Sequence, residues 1–209
     1  YPKLLLAMAP PHVPGADPGG NAILALTEAA ARTERRGLVA ADNGYVQTRP
    51  EAFALPARAL GWELLTDYKI DQLGTQGSHD GALLVEGRWY CPAMPEPLIE
   101  ATRDQRLGKI DDKTYERRLA DRRAYELRPK AHRGADGSIR MLCPAAGTAP
   151  TARCDHKPAS KQRRHTSHPR VSLNHLLEAN PPKVCRQQSI TIPAEAEDRF
   201  GQPLRYGSD

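Results

Sequence analysis

Residues 37–45 read Gly-Leu-Val-Ala-Ala-Asp-Asn-Gly-Tyr. Leu38 to Ala41 is a short run of small apolar residues, the pattern of a strand buried on both faces of a sheet, and it delivers Asp42 to its carboxyl end. In α/β proteins that end of the sheet is where ligands and hard metal ions collect, so Asp42 is the first candidate metal ligand. The same Asp42-Asn43-Gly44 triplet also has the composition of an ordinary turn. From the residues alone both readings stand.

The flanking sequence alternates helix and strand. Upstream, Lys3 to Met8 is an apolar run bounded by prolines and is predicted to be a strand; Pro10 to Gly20 is a loop. Asn21 is placed to cap a helix over 22–36, where Ile23, Leu24, Leu26, Ala30 and Ala31 recur on a helical period before Gly37 stops it. Downstream, Pro50 to Leu60 is predicted as a helix with proline in its first turn and Gly61 beyond its end, and Trp62 to Thr66 as another strand. This is an α/β pattern.

After Asp67 the composition changes. Asp71 to Gly81 is polar and rich in glycine, and Ala82 to Tyr90 alternates about Glu86-Gly87 as a hairpin. Helices are expected over Pro95 to Arg106 and Asp111 to Arg128, the second read as an exposed, charged face carrying no site. A further hairpin is expected over Ala131 to Cys143, a short helix over Ser172 to Ala179, and a strand over Ser189 to Pro193. Trp62 and Trp89 read as packing residues, and His79-Asp80 lacks the nucleophile elbow a hydrolase would need.

The chain has 209 residues, 39% apolar and 5% aromatic, with 19 prolines and 16 glycines, which allows a modest core and long irregular connections. No apolar run approaches the roughly 18 residues of a membrane span. Lys and Arg exceed Asp and Glu by 30 to 25, a net charge of +5 that favours polyanionic partners. The chain opens on Tyr and runs directly into an apolar segment, as a piece of a longer protein would.

Two further groups of residues could carry chemistry. Cys91, Cys143, Cys154 and Cys185 stand near prolines or hairpin ends; four thiolates suffice for a tetrahedral zinc site, although the gaps of 51, 10 and 30 residues match no standard zinc module, and free thiols in a reducing compartment are the other reading. His132 and His156 are reserve ligands. The stretch from Lys157 to Arg170, with Lys161, Arg163 and Arg164 between, contains no acid and suits contact with a phosphate backbone, or a solvated loop.

Several segments together carry a resemblance: Asp42-x-Gly44-Tyr45 after its strand, Pro50-Glu51-x-Phe53-x-Leu55-Pro56-Ala57-Arg58-Ala59-Leu60-Gly61, Asp67-Tyr68-x-x-Asp71-Gln72-Leu73-Gly74, and Trp89-Tyr90-Cys91-Pro92-x-Met94-Pro95. They resemble actinobacterial transposase-like proteins of the DDE type, along nearly the whole chain to Tyr206-Gly207-Ser208. The resemblance implies an RNase H-like mixed-sheet core in which three carboxylates hold two Mg²⁺ or Mn²⁺ ions for cutting and joining DNA. Asp42 matches the second acid. The first acid belongs before Lys3 and the final Glu beyond Asp209, so these residues alone are expected to be inactive. The expected organisation is an incomplete core segment at 1–75, a loop-rich α+β insertion at 76–188 that holds the transposon end, and a return strand and tail at 189–209. The partners implied are transposon ends and target DNA, with a homo-oligomer in the cytoplasm at the nucleoid; the alternative is a non-catalytic, zinc-stabilised DNA-binding remnant of such an element.

Overall fold

The computed structural model describes residues 17–34, 36–46, 49–157, 170–171, 180–197 and 200–202. The predicted strand over Lys3 to Met8 and the predicted helix over Ser172 to Ala179 lie outside these residues. The chain divides into two compact units, Tyr1–Asp67 with Asp198–Asp209, and Tyr68–Glu197. Both are mixed α/β, with several small sheets rather than one large one.

The first unit begins with α1 (Pro18–Arg32). Asp17 occupies the cap position and Pro18 the first turn, so the helix starts before Asn21, whose N–H donates to the Asp17 carbonyl. Proline's fixed φ suits that first turn, and it costs no helical hydrogen bond there. Next come β1 (Leu38–Ala40), the single turn α2 (Asn43–Val46), α3 (Ala54–Ala59) after a 3₁₀ turn at Pro50–Ala52, and β2 (Glu63–Leu65).

β1 and β2 pair in parallel, with Leu38 opposite Glu63 and Ala40 opposite Leu65. Phe53, Ala54, Ala57 and Leu64 form the core of this unit, with Ala22, Ile23, Leu26, Val39 and Ala41 packed against it. The expectation of a strand buried on both faces fails: Leu38 is 45% exposed, Ala40 is exposed and Val39 alone turns partly inward. β2 is the only neighbour of β1 among the described residues, and the core residues from α1 and α3 lie against one side of the pair. The Trp62 indole donates to the Leu26 carbonyl, a packing role of the kind its sequence suggested.

The second unit opens with a meander of β3 (Thr75–His79), β4 (Ala82–Val85) and β5 (Arg88–Tyr90). Asp80-Gly81 and Glu86-Gly87 make its turns, all four residues at positive φ, as two-residue hairpins of the I′ type require. The helices α4 (Glu96–Ile99), α5 (Ala101–Arg106) and α6 (Asp112–Arg122) follow. Asp111 caps α6 by accepting from the Thr114 N–H. Val85, Tyr90 and Met94 make a core with Leu83, Leu98, Ile99 and Tyr125.

The rest of this unit is β6 (Arg128–Pro129), β7 (Ile139–Leu142), β8 (Arg153–Cys154), β9 (Arg170–Val171), α7 (Lys183–Arg186), β10 (Ser189–Ile192) and α8 (Ala194–Glu197). β7 is the middle strand of an antiparallel sheet with β6 and β10 on either side, while β8 and β9 pair in parallel. Two boundaries therefore differ from the expected organisation. The second unit begins at Tyr68 rather than residue 76, and β10, expected to return to the first unit, pairs along its length with β7. Ile190 and Ile192 alternate inward from β10 into the second unit's own core, where burial fixes their partner strand. The helix expected over Asp111 to Arg128 ends at Arg122 because the following residues are drawn into β pairing, Tyr90 with Glu126 and Arg128 with Leu142.

Candidate functional site

Asp42 lies two residues past the carboxyl end of β1, and the Ala41 N–H still donates to Leu65 as a continuation of the parallel ladder. The aspartate is exposed. Its Oδ1 accepts the Gly44 N–H at 2.7 Å and its carbonyl accepts the Tyr45 N–H at 3.0 Å, so the side chain starts the single turn α2. Tyr45 in turn sets its ring 5.6 Å from that of Phe53, tying the turn to the core. The turn reading and the strand-end reading are thus both present in one residue. A carboxylate has about four acceptor positions, and the Gly44 bond uses one, so capping leaves capacity for an ion. Among the described residues, no three or more His, Cys, Asp or Glu side chains are grouped as they stand to hold a metal ion. Asp42 alone fits one edge of a metal site.

The basic stretch divides. Lys157, expected on DNA, is buried, and its ammonium donates to the carbonyls of Cys185 and Gln187, both at 2.6 Å. It fastens the β8 turn to α7, and an ammonium held by internal carbonyls has no reach to phosphate. Arg170 is exposed on β9 and pairs with Asp155 at 2.8 Å. Lys161, Arg163 and Arg164 lie outside the described residues. No helix among the described residues is long and apolar enough to cross a membrane.

The cysteines come together. Cys91 follows β5, Cys143 follows β7, Cys154 ends β8 and Cys185 lies on α7, and all four are buried in the second unit with no disulfide among them. Cys91 donates a hydrogen bond to Cys185, which raises the Cys91 pKa well above the usual thiol range, with burial adding to it, and lowers that of Cys185. Burial pushes Cys143 up, and Cys154 up to about 11. Cys143 and Cys154 share a small core with Ala145 and Ala146, while Cys91 packs with Ala152 and Val171.

Sequence reasoning missed the buried ionic groups. Arg122, assigned to an exposed helix face, is buried with Glu86, and Thr102 donates to the same carboxylate at 2.8 Å. Arg88 pairs with Glu126, and Trp89 Nε1 donates to Glu197. Asp80 is held by Lys183 at 2.8 Å, so the His79-Asp80 pair belongs to a structural turn. The sparse apolar content of α6 gave one usable signal: an amphipathic helix with so little to bury must dock through something else.

No family model, curated protein or solved structure matches the chain.

Proposed function

We propose that these residues are part of a DDE-type transposase that cuts and joins DNA, with Asp42 one of its metal-holding carboxylates. The observation that supports this reading is the position of Asp42, an exposed carboxylate just beyond the carboxyl end of a parallel strand pair, held in place by a bond that leaves acceptor positions open. The motifs around it, from Pro50 to Gly61 and from Asp67 to Gly74, supply the resemblance. In an RNase H-like site Asp42 would be one ligand to Mg²⁺ or Mn²⁺, and such ions activate the attacking hydroxyl and stabilise the departing oxygen. The first acid and the final Glu would come from flanking polypeptide. DNA would be held by the basic residues Lys161, Arg163, Arg164 and Arg170, with Lys157 excluded by its internal bonds.

The test is strand cleavage and joining by the polypeptide expressed with its flanking coding sequence, on DNA carrying the element's ends, with Mg²⁺. Asp42→Asn is expected to lower the rate at least about 100-fold while DNA binding stays within about twofold. Activity retained above about a tenth of the unsubstituted protein's, or no activity in either protein, would contradict the reading.

A further inference from the structure

We infer that Cys91, Cys143, Cys154 and Cys185 are the four ligands of a structural zinc ion in the second unit. This assignment is independent of the transposase reading.

Three of the cysteines open the same local structure. The Cys91 carbonyl accepts the Met94 N–H at 3.0 Å, the Cys143 carbonyl accepts the Ala146 N–H at 2.9 Å, and the Cys154 carbonyl accepts the Lys157 N–H at 3.0 Å. Each is therefore the first residue of a hydrogen-bonded four-residue turn. In each turn the amide two residues on, of Ala93, Ala145 and His156, donates to the cysteine's own sulfur. A thiol packed as a small hydrophobe needs no such donor. A metal-bound thiolate does, because amide donors spread its charge and fix its direction. Three repeats of one arrangement, on chain segments of unrelated sequence that meet in one place, have a common purpose in a common ligand.

The fourth sulfur completes the set. Cys185 accepts the hydrogen bond of Cys91, and Cys143 lies close enough to Cys91, Cys154 and Cys185 for their charges to interact. Lys157 faces Cys143, Cys154 and Cys185 with its ammonium. A zinc tetrathiolate carries a net charge of −2, and a buried cation beside it is of the required sign.

As they stand the sulfurs are not already grouped as a formed site. Loading exchanges the Cys91–Cys185 hydrogen bond for a shared ion: Zn²⁺ and four thiols give one tetrathiolate and four released protons. The ligands then sit at about 2.3 Å from zinc in a tetrahedron. Four soft ligands with no open position select zinc over magnesium and leave nothing for substrate, which makes the ion structural. It would join the ends of β5, β7 and β8 to α7, where the core contributes mainly alanines.

The test uses the full chain, purified without chelator and then equilibrated with a small excess of zinc. We expect one zinc per chain by elemental analysis, about four protons released on loading, and an X-ray absorption spectrum with four sulfur neighbours near 2.3 Å. None of these needs a variant that folds. In a second arm, Cys91→Ser and Cys185→Ser each reduce zinc retained against a competing chelator at least tenfold. Less than about 0.1 zinc per chain after equilibration overturns the inference, as does a sphere of three sulfurs and a nitrogen. A Cys91–Cys185 disulfide in protein kept under reductant also overturns it.

Discussion

The Arg122 guanidinium and the Glu86 carboxylate face each other across two hydrogen bonds, at 2.5 and 3.2 Å, with both side chains at most 4% exposed. Arg122 comes from the last turn of α6, and its remaining donors reach the carbonyls of Leu98 and Ile99 on α4. Glu86 comes from the β4–β5 turn, at φ +45°. One ion pair thus docks a polar helix onto a hairpin. Removing one partner leaves a buried charge, so Arg122→Ala or Glu86→Ala should each destabilise the second unit by about 3–5 kcal/mol. Urea denaturation followed by Trp89 fluorescence in a Trp62→Phe background reads that unit; a loss under about 1 kcal/mol would show the pair to be dispensable.

The turn at Asp80-Gly81 makes a second prediction. Gly81 has φ +87°, and a Cβ there would lie 2.2 Å from Pro182 Cβ. Gly81→Ala combines a left-handed alanine with a collision and should cost about 2 kcal/mol or more. Gly108, at φ +67° with nothing within 4 Å of its Cβ position, is the control, and Gly108→Ala should cost only about 1 kcal/mol. Equal effects in the same urea experiment would remove the Pro182 collision from the explanation.

What was legible in the sequence follows from period and punctuation. α1 and β2 announced themselves through spaced apolar residues and flanking glycines, and Glu86-Gly87 through the turn chemistry of a hairpin. β10 was legible as a strand but not as a partner of β7, because short-range pattern says nothing of which edge a strand joins. Lys157 looked like its basic neighbours; only the carbonyls of Cys185 and Gln187, roughly thirty residues away, pull it inside. Arg122 was hidden for the same reason. For Asp42 the sequence carried both the cap and the strand end, and both are present. The cysteine turns were within reach, since Cys91-Pro92-Ala93 and Cys143-Pro144-Ala145 repeat a motif.

The cap of α6 sets a pH response. The side-chain hydroxyl and backbone N–H of Thr114 both bond to the Asp111 carboxylate and hold its pKa below the ordinary 3.8. A depressed folded pKa means that the carboxylate's contribution to stability is present above about pH 3.8 and is lost as pH falls through the lower, folded value. The Thr114 amide resonance should therefore titrate with a midpoint below 3.8, and Asp111→Asn should abolish that titration while keeping the cap. A midpoint at or above 3.8 would contradict the assignment.

DNA affinity separates the basic residues. Arg163→Ala with Arg164→Ala should weaken duplex binding and reduce the slope of log affinity against log salt by about 1.8, close to 0.9 for each phosphate no longer neutralised. Lys157→Met should leave that slope unchanged while lowering stability, since its ammonium bonds to carbonyls inside the protein. Fluorescence anisotropy at several salt concentrations gives both numbers; a slope lowered as much by Lys157→Met as by an arginine would place that lysine on DNA.

The reading of Asp42 as a metal ligand is tested most directly by changing the softness of the ligand. In the polypeptide expressed with its flanking sequence, Asp42→Cys is predicted to lose strand transfer with Mg²⁺ and to recover at least about tenfold with Mn²⁺, a metal that accepts thiolate more readily. Equal rates with the two metals in Asp42→Cys, or a rate with Mg²⁺ as high as that of the unsubstituted protein, would show that Asp42 holds no ion and only starts its turn.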